Sequence, residues 1–182
     1  MSYPTRTAGP QLPTLFALFP PADDVPEYQL VPADEVPPPY HELLVHEHHM
    51  TVTVEAHHGD LVSVKILARR HTKDTYARKI LLTLQGTGKV VQFGIMAIDL
   101  RQCAPQARDE IVAGQTPLGR ILIRHNVLRR IEPTAFLRVT PGKTMMQWFG
   151  LDRPTPTYGR LAIIHCNERP AVELLEIVAP EQ

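Results

Sequence analysis

Short turn signals between strand-like segments constrain this chain more than any other feature. His57-His58-Gly59-Asp60 separates Thr51–Glu55, which alternates β-branched residues, from the strand-like Leu61–Arg70. Gly86-Thr87-Gly88 separates Tyr76–Leu84 from Val90–Ile98 in the same way. Glycine and asparagine-type turn chemistry flanked by such runs reads as hairpins. Strands joined by so few residues must pair antiparallel, because parallel neighbours need a crossover of a dozen residues or more. Four antiparallel strands are therefore expected between residues 51 and 98.

Helices are expected on either side of this block. Tyr40–His46 follows Pro39 and suits a short helix, with proline at its first turn. Pro105–Ala113 reads as a helix stopped by Gly114. Thr116 is a good N-cap and Pro117 a good first residue for another helix, in which Leu118, Ile121 and Leu122 recur at helical spacing. Strands return at Ala135–Thr140, Tyr158–His165 and Val172–Val178, the last two joined by Asn167-Glu168-Arg169-Pro170. Hairpins, a helical insertion and further hairpins predict an α+β fold with a single antiparallel sheet and helices on one side.

Residues 1–39 carry more than half of the 18 prolines and end in Pro37-Pro38-Pro39. Proline is excluded from helix interiors and central strands, so this stretch reads as an N-terminal arm preceding a domain at 40–182. Its apolar run Leu12, Leu15, Phe16, Leu18 and Phe19 is too greasy for a free linker and is expected to lie partly against the core. The start Met-Ser-Tyr-Pro-Thr-Arg meets prolines before any long apolar run, which fits neither a signal peptide nor a membrane span.

Charge narrows the function. Lys+Arg and Asp+Glu number 19 each, so no net field draws in nucleic acid or an acidic membrane. Cys103 and Cys166 form no Cys-x-x-Cys pair, which points to a reducing, cytoplasmic setting without a disulfide framework. Gly86-Thr87-Gly88-Lys89 fails as a phosphate loop, since the required first glycine is Thr83 and Val90 follows the lysine. Neither Ser2 nor Ser63 sits in Gly-x-Ser-x-Gly. His165 and Cys166, adjacent on a strand, point to opposite faces. His41, His46, His48, His49, His57 and His58 lack His-Glu-x-x-His and offer no fixed set of three ligands, so they read as partly exposed histidines and no metal is expected.

Four features remain. Met50-Thr51 follows the first helix, although Met50 could simply be core. Arg78 and Lys79 must face opposite ways on a regular strand, so one of them points inward, and an inward arginine needs an anionic partner. Thr116-Pro117-Leu118-Gly119 opens a helix, whose first amides lack partners and attract anions; it could equally be an ordinary capped start. Glu176 alternates with Leu174 and Val178 and shares their inward face, where a carboxyl is either paired or has its pKa raised.

These segments resemble the chorismate-pyruvate lyase family, bacterial enzymes that make 4-hydroxybenzoate. The likeness runs from about Leu43 to Pro180, through Leu43-Leu44 before His49-Met50-Thr51, Arg78-Lys79-Ile80-Leu81-Leu82, Thr116-Pro117-Leu118-Gly119-Arg120, Tyr158-Gly159-Arg160 and Glu176-Ile177-Val178-Ala179-Pro180. It implies an antiparallel sheet whose internal pocket is closed by helical flaps, and a carbon-oxygen lyase that releases pyruvate from chorismate without a cofactor. Arg78 would hold the ring carboxylate, helped by the main chain around Met50 and Leu118. Glu176 would meet the oxygen at the far end of the ring, and Arg160 is a candidate second anion contact. The arm, the short loop from His71 to Thr75 and the stretch from Ile131 to Thr157 depart from the family pattern. The same fold also resembles the effector-binding domain of GntR-type transcription regulators, a non-catalytic reading for a carboxylated aromatic ligand; their winged helix is not matched by the proline-rich residues 1–39.

Overall fold

The computed structural model describes residues 9–181, so the reading of Met1 to Arg6 lies outside the described residues. In chain order the elements are α1 (Leu12–Phe16), β1 (Glu27–Val31), α2 (Tyr40–Leu44), α3 (Met50–His58), β2 (Val62–His71), β3 (Thr75–Leu84) and β4 (Val90–Asp99). There follow α4 (Pro105–Ala113), α5 (Leu118–Arg124), β5 (Arg129–Thr140), α6 (Lys143–Phe149), β6 (Thr157–Cys166) and β7 (Arg169–Val178). The fold is α+β, with one sheet in the order β1-β5-β6-β7-β4-β3-β2 and every neighbouring pair antiparallel.

The hairpin around Gly86–Gly88 forms as its flanks require. The turn at Asn167-Glu168 places both residues at positive φ (50° and 66°), the backbone of a two-residue hairpin. Arg169 and Pro170, expected in that turn, already belong to β7.

Thr51–Glu55 is not a strand. It lies within α3, whose buried residues Met50, Thr51 and Val54 fall at helical spacing. Gly59 takes a left-handed conformation (φ 65°) and its N–H bonds the Glu55 carbonyl; it ends a helix rather than turning a hairpin. Three strands, not four, therefore occupy the block to residue 98. β5 starts at Arg129, well before Ala135, and tolerates Pro133 because the ladder shifts register between Pro133 and Ala135.

The helices are not confined to one side, because α1 and α6 pack on the face opposite α2–α5. α1 belongs to the proline-rich arm, and its Leu12, Leu15 and Phe16 are buried with Phe93, Leu175 and Ile177 on one face of the sheet. α6 adds Met145 and Phe149 to that same cluster. The arm also supplies β1, which pairs with β5 at the sheet edge. The opposite face carries α4 and α5 over Met96, Ala162 and Leu174, and α2 and α3 over Leu82, Val91 and Val178. Between these two clusters the second face is not filled by apolar side chains.

Candidate functional site

Strand alternation sets the floor of that gap. Arg78 lies opposite Met96, Gly94 opposite Glu176, and Glu176 opposite Arg160, so one face presents Arg78, Gly94, Glu176 and Arg160 in adjacent rows. Gly94 contributes no side chain, which leaves space between Arg78 and Glu176. A cavity of about 50 Å³ lies here, with Met50 of α3 and Leu118 of α5 in its roof. That exceeds the room one water needs.

Arg78 is 1% exposed. Its Nη2 donates to the Thr116 carbonyl at 3.2 Å, while Nε and Nη1 have no hydrogen-bond partner among the described residues. Burial lowers its pKa, opposed by neighbouring Tyr76. Lys79, its outward neighbour, pairs with Asp24 at 2.6 Å on the other face. A buried planar guanidinium with Nε and Nη1 unbonded is matched in charge to a carboxylate, which can bridge Nη2 and either of them along one edge of the fork.

Glu176 is paired. Its Oε2 accepts from Arg160 Nε at 2.7 Å, which leaves Oε1 for another donor. Arg160 is fully buried, and its remaining donors hold main chain: Nη1 donates to the carbonyls of Leu44 (3.3 Å) and His46 (2.8 Å), and Nη2 to that of His48 (3.0 Å). Arg160, expected as an anion contact, lines the cavity with its guanidinium committed to Glu176 and to the segment entering α3. The reason is local, since the turn after α2 leaves carbonyls that no helix satisfies.

The roof is formed by the ends of two helices. Pro117, not Thr116, occupies the N-cap position of α5, without a side-chain cap; the Thr116 carbonyl is used by Arg78 instead. Glu55 of α3 binds Arg120 of α5 and also accepts the Val62 N–H at 3.0 Å. His49 packs against Gly119, where a Cβ would stand only 2.9 Å from the histidine Cβ. These contacts tie the two flaps together over Arg78.

His49 and Gln92 are the site residues that sequence reasoning missed. His49 lines the cavity and its Nε2 accepts from Arg129 Nε at 2.6 Å, which puts its ring proton on Nδ1. Burial, then Arg129 and Arg160, lower its pKa to about 4. His46, beside Arg160, is likewise lowered to about 4, mainly by burial. Gln92 is 3% exposed and its Oε1 has no partner among the described residues. A polar residue two positions before Gly94 in an apolar strand was a legible signal for the same face; Arg129, 80 positions from His49, was not.

No family model matches this sequence, and no curated protein matches it. Solved structures do match. PhnF from Mycobacterium smegmatis superposes with a TM-score of 0.55 at 15% identity, over 72% of this chain and 63% of PhnF. The effector domain of PhnF gives 0.50 at 14%, over 72% of this chain and 88% of that domain. The ligand-binding domain of a putative GntR-family transcriptional regulator from Bordetella bronchiseptica gives 0.50 at 12%, over 66% and 87%. The fold is that of the GntR-type effector domains, the chorismate lyase-like fold. This chain spans about 63% of the PhnF chain. At such identities the likeness establishes architecture alone. Among the described residues no helix is long and apolar enough to cross a membrane.

Proposed function

We propose that this chain is a binding domain for a small carboxylated ring compound, held in the cavity beneath α3 and α5 with its carboxylate on Arg78. The observation that carries this reading is the pair of unbonded donors, Nε and Nη1, on a guanidinium that is 1% exposed. Leaving such donors unbonded is costly, and a carboxylate that bridges one of them and the second Nη2 hydrogen along an edge of the fork relieves part of that cost. At the far side of Gly94, Glu176 Oε1 and Gln92 Oε1 are acceptors, which favours a ring carrying a hydroxyl or amino group away from the carboxylate. The names of the structural neighbours, an effector domain and a ligand-binding domain, support binding as the basic role. Calorimetric titration with 4-hydroxybenzoate tests it: saturable one-to-one binding, weakened in Arg78→Ala, is expected.

A second reading, chorismate-pyruvate lyase activity, is favoured by one feature. Glu176 is the carboxylate among the cavity-lining residues, in the row next to Arg78. Chorismate lysis yields 4-hydroxybenzoate and pyruvate, with the ring losing a proton as it becomes aromatic, and aromaticity drives it without a cofactor. Glu176 would take or orient that proton. Its pairing with Arg160 suits an acceptor more than an acid. Incubation with chorismate separates the readings: release of pyruvate supports the lyase, and binding without pyruvate supports the effector-type domain.

A further inference from the structure

Helix α3 ends in two adjacent histidines, and the tail after β7 returns beside them. His57 Nε2 lies 3.2 Å from Glu181 Oε1, 124 positions along the chain. One ligating atom each from His57, His58 and Glu181 lies within 4.8 Å of the other two. The histidine-rich stretch lacked a third ligand in the sequence; the fold supplies it from the tail.

We propose that His57, His58 and Glu181 form a binding site for one divalent transition ion of the zinc class, distinct from the Arg78 cavity. Bonds of about 2.0–2.2 Å in a tetrahedron place neighbouring ligand atoms about 3.3–3.6 Å apart. The His57–Glu181 pair, at 3.2 Å, already has nearly that spacing. His58 needs only a side-chain rotation of its half-exposed ring, which stands perpendicular to His57 with centroids 4.8 Å apart. Two imidazoles and one carboxylate suit zinc, nickel or copper rather than magnesium or calcium, and leave a position for water.

Two features of the surroundings favour a cation here. The last carbonyls of α3 carry the negative end of the helix dipole, and both histidines lie in that last turn. The tail is already positioned, because the Glu181 N–H donates to the Tyr40 hydroxyl at 2.9 Å. A bound ion would fasten the tail to α3, whose opposite end carries the cavity-lining Met50 and Thr51.

The test is titration of zinc chloride into the full chain without an affinity tag at pH 7.5, for wild type, Glu181→Gln, His58→Ala and His46→Ala. One ion per chain is expected for wild type and His46→Ala, with affinity weakened at least about 10-fold in Glu181→Gln and His58→Ala. Zinc should raise the melting temperature of wild type more than that of those two variants, because binding to the folded state stabilises it by mass action. The proposal is overturned by absent saturable binding in wild type, by unchanged affinity in Glu181→Gln or His58→Ala, or by loss confined to His46→Ala.

Discussion

Replacing Arg78 with methionine should strengthen the ligand-free fold and weaken the ligand complex. Methionine keeps most of the apolar stem and removes the charge and the two unbonded donors. Each buried donor left unbonded costs about 1–3 kcal/mol, whereas the one bond lost, from charged Nη2 to the Thr116 carbonyl, is worth about 1.5–3 kcal/mol. Substituting apolar groups for poorly compensated buried charge stabilises other proteins by about 1–4 kcal/mol. A net gain of about 1–3 kcal/mol follows for Arg78→Met, or a melting temperature higher by about 2–12 °C for a chain of this size. The complex loses charge-assisted hydrogen bonds worth about 2–4 kcal/mol, so affinity for 4-hydroxybenzoate should fall about 30- to 1,000-fold. Scanning calorimetry of the free protein and isothermal titration with the ligand read the two effects separately. A variant that melts lower than wild type and binds equally well would show that Arg78 is an ordinary structural arginine and refute the reasoning.

Other perturbations probe the framework. Arg160→Met should destabilise by about 3–5 kcal/mol in urea titration, since it leaves Glu176 buried and unpaired and frees the main chain of residues 44–48. A loss below about 1 kcal/mol would remove Arg160 as the fastener. Glu176→Gln separates the two functional readings: chorismate turnover should fall about 100-fold or more with folding preserved if the carboxylate handles a proton, and a variant that melts early yet turns over normally would reject that role. His46 and His49 are lowered from 6.5 to about 4 in the fold, so below pH 6.5 the unfolded chain binds more protons. Stability should therefore be level above pH 6.5 and fall as the pH drops from 6.5 toward 4; denaturation midpoints equal at pH 7.5 and pH 5 would contradict it. Phe16→Ala opens a cavity beneath the sheet, where Phe16 stacks on Phe93 with centroids 5.7 Å apart, and should cost about 3–5 kcal/mol. A cost near zero would mean that the arm is not part of the core.

The legible parts of the molecule were those governed by local rules. Strand alternation made it readable that Arg78 and Lys79 face opposite ways, the family resemblance singled out Arg78, and the Pro105–Ala113 helix with its Gly114 cap follows from terminus chemistry alone. Thr51–Glu55 misled because β-branched residues carry the same letters in a helix as in a strand; the deciding fact is that Met50 and Val54 have the sheet to pack against. α6 was hidden among prolines and glycines that mark both turns and helix ends. β1 was unreadable because an edge strand owes its existence to its partner β5, more than 100 residues away. In the site, the commitments of Arg160 depend on carbonyls at residues 44–48 that no sequence pattern announces, and the same is true of the Arg129–His49 bond.

The central claim is that the cavity selects a carboxylate through Arg78. The most direct measurement is a paired titration of the wild-type protein with 4-hydroxybenzoate and with 4-hydroxybenzamide, which keeps the ring and hydroxyl but removes the charge. Arg78 at the carboxylate predicts that the acid binds at least about 30-fold more tightly than the amide, from the charge-assisted pair alone. Equal affinities, or tighter binding of the amide, would contradict it.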